Sequence, residues 1–200
     1  MANFVTIFRV FLMFIGVYLL LTQMDNSTAY IWALVLTILA FSLDGLDGYL
    51  ARKFNEESKL GALLDIMSDR IVENTYWIVF AVMNLLPVWF ALVALTRGFV
   101  TDTIRSAAME KGLTPFGMQK NPICKWITGS KFMRITYAVV KVLAFIVIIA
   151  SQIPYLQAYS GPMYRLGYWL ALVAIILCIV RGLPVIIEAN TVLGDTSDNG

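Results

Sequence analysis

Histidine is absent from the 200-residue chain. That removes histidine-based nucleophilic triads, imidazole metal ligands and histidine general bases. Any metal must then be held by oxygen, which favours Mg²⁺, Mn²⁺ or Ca²⁺. Cysteine is nearly absent too. Cys124 and Cys178 are too few for a disulfide framework or a thiolate metal site, and read as small apolar side chains. Charge is scarce, at 14% of residues, where an ordinary soluble domain carries about 25%. No internal repeat, low-complexity tract or alternating β-barrel pattern is visible, and nothing calls for a nucleic-acid partner. What fills the chain instead is apolar: 60% of residues are hydrophobic and the mean hydropathy is +0.77. Such a chain is too apolar to be solvated by water on all sides, so a bilayer is the expected solvent.

The apolar residues fall into six long runs, approximately Phe4–Leu21, Tyr30–Arg52, Leu60–Asn84, Pro87–Ile104, Lys131–Gln152 and Tyr164–Ala189. Each is long enough for a helix that crosses the hydrocarbon core, which takes about 20 residues, and helices satisfy their own backbone in lipid. The expectation is an all-α, polytopic membrane protein with six transmembrane helices over residues 1–189, and a polar C-terminal tail over 190–200. The first run has no basic leader and no small-residue cleavage site after it, so it reads as a retained span. The connecting segments alternate in charge. The first, third and fifth are poor in basic residues. The second carries Arg52, Lys53 and Lys59, and the fourth, taken from Arg97 to Arg134, holds Arg97, Arg105, Lys111, Lys120, Lys125, Lys131 and Arg134. Basic loops stay in the cytoplasm, so both termini are expected there.

Carboxylates occur where lipid makes them costly, and an acid inside a span reads by default as functional. Asp44, Asp47, Gly48, Ala51 and Arg52 fall at i, i+3, i+4, i+7 and i+8, one stripe of a helix. Gly61, Asp65 and Asp69 follow at steps of four, again one stripe. A short polar turn, Lys53–Lys59, joins the two runs, so they are expected to be antiparallel neighbours whose stripes bring four carboxylates together. Four such groups repel unless some are protonated or cations lie among them. Hard divalent cations suit carboxylates, and a two-metal cluster suits phosphoryl chemistry. Gly48 and Gly61 cost helix stability but let a ligand approach the backbone, and Arg52 can pair with a phosphate. The plainer alternative is a salt-bridged helix pair or a set of solvated helix ends.

Asp44, Asp47, Gly48, Ala51, Arg52, Gly61, Asp65 and Asp69 match the signature of the CDP-alcohol phosphotransferases at every fixed position and spacing, and the six-helix plan and chain length resemble that family as well. The resemblance implies that Asp44, Asp47 and Asp65 hold metal. Asp69 would be both a metal ligand and the general base for the acceptor hydroxyl. Gly48, Ala51, Arg52, Ser58 and Gly61 would serve the CDP-linked donor. It further implies Mg²⁺ or Mn²⁺, two ions per site, with CDP-diacylglycerol or a related CDP-linked lipid as donor and a small alcohol as acceptor. The site would face the cytoplasm, lipid tails would lie in a groove open to the bilayer, and a homodimer is plausible on the same ground. The opening Asn3-Phe4-Val5-Thr6 resembles the family's stretch before its first helix, although Thr6 reads more simply as a helix-start residue.

The acceptor is less legible. Arg97, Arg105, Lys131 and Arg134 flank the expected cytoplasmic face, with Arg181 a further candidate, and could cradle the phosphate of a phosphorylated alcohol. The plainer reading is the positive-inside rule with headgroup contact. Asn3-x-x-Thr6-x-x-Arg9, with Lys131 and Arg134 at the start of the fifth run, resembles the phosphatidylglycerophosphate synthase branch and favours glycerol 3-phosphate. Ser68-Asp69-Arg70-Ile71 resembles the inositol-phosphate branch. Glu73, one turn beyond Asp69, and Lys141, inside the fifth run, are expected to neutralise each other. A non-enzymatic rival is a cation carrier lined by the four aspartates. It is disfavoured because the acids gather at one face.

Overall fold

The computed structural model describes residues 2–23, 26–53, 59–110 and 122–193, and these form helices without a strand. The helices are α1 (Ala2–Thr22), α2 (Ser27–Lys53), α3 (Lys59–Val82), α4 (Val88–Glu110), α5 (Pro122–Gly129), α6 (Lys131–Ser151) and α7 (Ser160–Leu193), with a 3₁₀ segment, Pro154–Tyr159, before α7. The six expected runs correspond to the six long helices. Among the described residues, four stretches meet both the length and the apolarity needed to cross a membrane: Phe4–Thr22, Ser27–Asp44, Lys131–Ser151 and Pro154–Ala189. The protein is an integral membrane protein. α3 and α4 have 24 and 23 residues, enough length for a span, but they carry the ionisable groups of the sites described below.

Two expectations need correction. The fourth connecting segment, taken to run from Arg97 to Arg134, is largely helical. Arg105 lies within α4 and Lys125 on the unforeseen α5, while Arg97 on α4 and Lys131 and Arg134 on α6 fall in helices the apolar runs had anticipated. Arginine and lysine are good helix formers whose long stems reach a polar surface from inside a helix, so clustered basic residues do not mark a loop. α7 extends past the expected end at Ala189 to Leu193. Residues 194–200 of the expected tail, with Lys111 and Lys120, lie outside the described residues.

Helix ends follow local chemistry. Asn26 caps α2, its side-chain oxygen accepting from the N–H groups of Thr28 at 3.0 Å and Ala29 at 3.3 Å. Ser130 does the same for α6, accepting from the Met133 N–H at 3.2 Å, so Gly129-Ser130 divides α5 from α6. Just past the end of α3 lies Asn84, whose φ of 56° is the left-handed conformation asparagine tolerates. The Leu85 N–H donates to the Phe80 carbonyl at 2.8 Å and the Asn84 N–H to that of Ala81 at 3.1 Å. These are the two bonds of a Schellman stop, and Pro87 follows within three residues.

The chain divides into two compact units. The first contains Met1–Val88 and Val142–Trp169. Here α1 packs on α2 and α3. The first unit's core is aromatic. Phe145 is fully buried, with its ring 5.4 Å from those of Tyr76 and Phe80, 4.8 Å edge-on from Trp77 and 6.1 Å from Phe41. One buried polar pair sits among these rings. The Thr37 hydroxyl donates to the Ala33 carbonyl at 2.7 Å, so the 2.7 Å contact with Tyr76 has the phenol as donor. Gly167 lets α7 close on α6, since a Cβ there would meet Ile148 Cγ1 at 2.7 Å. The second unit contains Trp89–Lys141 and Leu170–Gly200, and in it Ala108 and Val185 are buried together against Ile104.

α1 shows how lipid inverts the usual amphipathic pattern. Phe4, Ile7, Phe8, Phe11, Phe14 and Tyr18 are exposed, whereas Thr6, Arg9, Met13, Val17 and Leu20 are buried. A stripe that apolar is stable only against hydrocarbon, and the polar groups turn inward to find partners. Thr6, read as a helix-start residue, instead lies inside α1.

Candidate active site

The buried face of α1 delivers Arg9 to the acids of α2 and α3. Arg9 is 2% exposed, whereas the side chains of Asp44, Asp65 and Asp69 are 40%, 50% and 53% exposed. Its Nη1 donates to Asp44 Oδ1. Its Nη2 lies 3.2 Å from Asp65 Oδ1, 3.4 Å from the Asp65 carbonyl and 2.8 Å from Asp69 Oδ1, and also donates to the Ser68 hydroxyl. The Ser68 hydroxyl in turn donates a hydrogen bond to the Asp65 carbonyl at 2.9 Å. The guanidinium is thus a buried floor beneath three half-open carboxylates. One ligand oxygen from each of Asp44, Asp65 and Asp69 lies within 4.8 Å of the others. Hard oxygen donors gathered this closely, with an open side, fit a divalent cation.

The two expected stripes therefore do converge through these three acids. Asp47, Gly48, Ala51 and Arg52 belong to α2 and Gly61 to α3. The side chains of Asp47, Ala51 and Arg52 lie outside the described residues, as does Ser58 altogether. Arg9 was read only as part of a resemblance at the chain start. The available signal was an arginine at the spacing of the buried face of a span, where an unpaired charge is costly. Glu73 is buried on α3, and Lys141 places its ammonium 5.0 Å from the ring centre of Tyr137. A 330 Å³ cavity lined by Asn84, Pro87, Tyr164 and Tyr168 lies at the far end of α3 from the acids and belongs to no part of this site.

The second unit holds a basic cluster. Arg181 is 9% exposed, and the charges of Arg97, Arg105 and Arg134 all act on it. Its guanidinium carbon lies 5.5 Å from the centre of the Tyr137 ring, a cation–π contact on the same ring that Lys141 approaches. The Nε atoms of Arg97 and Arg181 are buried without a hydrogen-bond partner. Gly182 provides the seat for Arg97: a Cβ there would meet Arg97 Cγ at 2.8 Å and Nε at 3.1 Å. Two residues on, Pro184 lies inside α7 and supplies no N–H to the helix. Of the expected acceptor-side residues, Arg97, Arg105, Arg134 and Arg181 gather. Lys131 is exposed at the start of α6. Nearby, burial and the Glu188 carboxylate raise the Cys124 thiol above its usual range.

Three carboxylates converging over a buried arginine, on largely apolar helices, form a donor set that fits a hard cation. The chain belongs to the CDP-alcohol phosphatidyltransferase family, whose profile matches residues 1–194; members of this family generally use a divalent metal. A Mycobacterium bovis relative named as a candidate cardiolipin synthase is 36% identical over 112 residues, which is 56% of this chain and 52% of that protein. The chain therefore spans about half the length of the first relatives it matches. CDP-diacylglycerol–glycerol-3-phosphate 3-phosphatidyltransferases are similar as well. The Haemophilus influenzae protein is 27% identical over 181 residues, 79% of this chain and 92% of its own. The Bacillus subtilis protein is 24% identical over 143 residues, 72% and 67% respectively.

Proposed function

We propose that the protein transfers the phosphatidyl group of CDP-diacylglycerol to glycerol 3-phosphate, releasing CMP. The observation that carries this reading is the convergence of Asp44, Asp65 and Asp69 within 4.8 Å, at the spacing of the family signature. Asp44, Asp47, Asp65 and Asp69 would hold two Mg²⁺ or Mn²⁺ ions, which supply charge neutralisation for the donor diphosphate and the departing CMP. Gly48, Ala51, Arg52, Ser58 and Gly61 are assigned to the CDP portion, with Arg52 on a phosphate. Asp69, whose carboxylate is half open, takes the proton of the acceptor hydroxyl. The acceptor oxygen forms its bond to the lipid-side phosphorus as the bond from that phosphorus to the CMP oxygen breaks. No covalent enzyme intermediate is needed, and catalysis is positioning plus electrostatics.

The arginines of the second unit are assigned to the phosphate of the acceptor. Three arginines that act on the buried Arg181, with the Nε atoms of Arg97 and Arg181 buried and unbonded, favour an anionic ligand, and Lys131 would assist from the rim. The alternation of basic and uncharged segments supports cytoplasmic termini and a cytoplasmic active site. Residues 1–189 act as one catalytic membrane domain, with lipid tails in a groove open to the bilayer and a homodimer as the assembly.

A second reading follows from the mycobacterial likeness and makes the protein a cardiolipin-forming transferase. Ser68-Asp69-Arg70-Ile71 keeps inositol phosphate as a third acceptor. One experiment separates them: CMP release from CDP-diacylglycerol with Mn²⁺, using glycerol 3-phosphate, phosphatidylglycerol, inositol phosphate, free inositol and serine in parallel, with Asp69→Asn as control. Release with glycerol 3-phosphate alone, lost in the variant, is the expected result. Release only with another acceptor would overturn the acceptor assignment. Release that survives Asp69→Asn unchanged would overturn the role of Asp69.

A further inference from the structure

The arginine under the acid cluster has no role in the phosphoryl chemistry just described, yet it holds the most concentrated set of charge-assisted bonds described in the structure. Its donors reach Asp44, Asp65, Ser68 and Asp69. It comes from α1, 35 residues away from Asp44 and 60 from Asp69 in sequence. On each carboxylate it takes Oδ1. Because each carboxylate remains about half exposed while the guanidinium is 2% exposed, Arg9 approaches from the protein side and leaves the other side open.

We propose that Arg9 is a tethered counter-cation of the metal centre. It keeps the acids assembled from the buried side, and it weakens their affinity for divalent ions so that the ion stays exchangeable. The inference rests on the reading that these acids hold a divalent cation. Its physical basis is charge. Three carboxylates whose ligand oxygens lie within 4.8 Å of one another repel, and a buried arginine is the cation the chain itself supplies against that repulsion. A divalent ion drawn to the same oxygens meets lone pairs already polarised toward Arg9 and a positive charge a few ångströms behind them. Without Arg9 the uncompensated acids would be less stable on their own and would bind a divalent ion more tightly, because the ion would then relieve all of the repulsion. By linkage, the two effects have a common source. A residue that only fills space in α1 would do the first and not the second.

The test compares wild type, Arg9→Gln, Arg9→Lys and Met13→Ala, all purified in detergent with Mn²⁺ present and then stripped with EDTA. Mn²⁺ affinity is read by electron paramagnetic resonance, and thermal unfolding is followed with and without Mn²⁺. Met13 is fully buried on the same helix and serves as the packing control. The expected result for Arg9→Gln is a lower melting temperature in EDTA, a larger stabilisation by Mn²⁺ than wild type shows, and Mn²⁺ binding tighter by about tenfold or more. Arg9→Lys, which keeps the charge, should stay within about threefold of wild type in affinity. Met13→Ala should lower the melting temperature with no change in affinity. Should Arg9→Gln not survive EDTA, titration of the Mn²⁺-loaded protein with a competing chelator gives the same affinity ranking. Unchanged or weaker Mn²⁺ binding in Arg9→Gln, with binding intact in wild type, would overturn the inference and leave the metal reading standing. No Mn²⁺ binding by wild type would overturn both.

Discussion

The seat of Arg97 on α7 offers a prediction whose size follows from the coordinates. Replacing Gly182 by alanine puts a carbon 2.8 Å from Arg97 Cγ and 3.1 Å from its Nε. Carbon–carbon contacts settle at about 3.5–4.0 Å, so the stem must retreat by about 1 Å. The obstacle is a side chain that can swing, so α7 itself need not move and the melting temperature should fall by only a few degrees. The arginine head, however, leaves its place beside Arg181. One charge-assisted hydrogen bond to a phosphate contributes about 1.5–3 kcal/mol, or about tenfold to hundredfold in affinity. Gly182→Ala should therefore raise the KM for glycerol 3-phosphate by about tenfold or more, while the KM for CDP-diacylglycerol stays within about twofold. The assay is steady-state CMP release in mixed micelles with each substrate varied in turn. If the acceptor KM were unchanged, or if both KM values rose together, the assignment of the arginine cluster to the acceptor phosphate would be wrong.

Other outcomes follow from the same structure. Asp69→Asn should lower kcat by about 10²–10⁴-fold, the usual worth of a positioned base, and change the donor KM little, as read by CMP release. EDTA should abolish turnover, and added Mn²⁺ or Mg²⁺ should restore it where monovalent ions do not. Phe145→Ala removes a fully buried ring that touches four other aromatics. It should cost about 3–5 kcal/mol in unfolding measurements, against about 1 kcal/mol for Tyr76→Phe, which loses one buried hydrogen bond to Thr37. Glu188→Gln should speed alkylation of Cys124 at pH 8, because removing that carboxylate lowers the thiol toward its ordinary range.

The sequence was most legible where function depends on local spacing. Asp44, Asp65 and Asp69 could be placed on helix stripes because they lie on two consecutive helices, where a period of 3.6 residues decides which side chains share a face. The six long helices followed from apolar length alone, since lipid demands a self-satisfied backbone. The errors arose where one signal has two causes. Arg105 was read as loop, and Arg97 was counted with the same basic segment although it lay within the expected fourth run, because positive charge marks cytoplasmic segments. An arginine inside α4 produces the same mark when its head finds a polar site. The short α5 has eight residues, too few for periodicity to reveal.

Two features were decided only by tertiary structure. Arg9 lies 35 residues from Asp44, and nothing in the local pattern of α1 says which acids it will meet. Its role emerges only when the packing of α1 on α2 and α3 turns a polar stripe away from lipid. Arg97, Arg105, Arg134 and Arg181 come from three different helices, and each alone resembles a residue that anchors a helix at the membrane surface. Their assembly around Tyr137 and the open backbone of Gly182 depends on how those helices cross. The sequence alone determined the solvent, the six long helices and the acids, because those rest on composition and on neighbours one turn apart. The partners of the charges rest on neighbours tens of residues apart, which only the packed chain brings together.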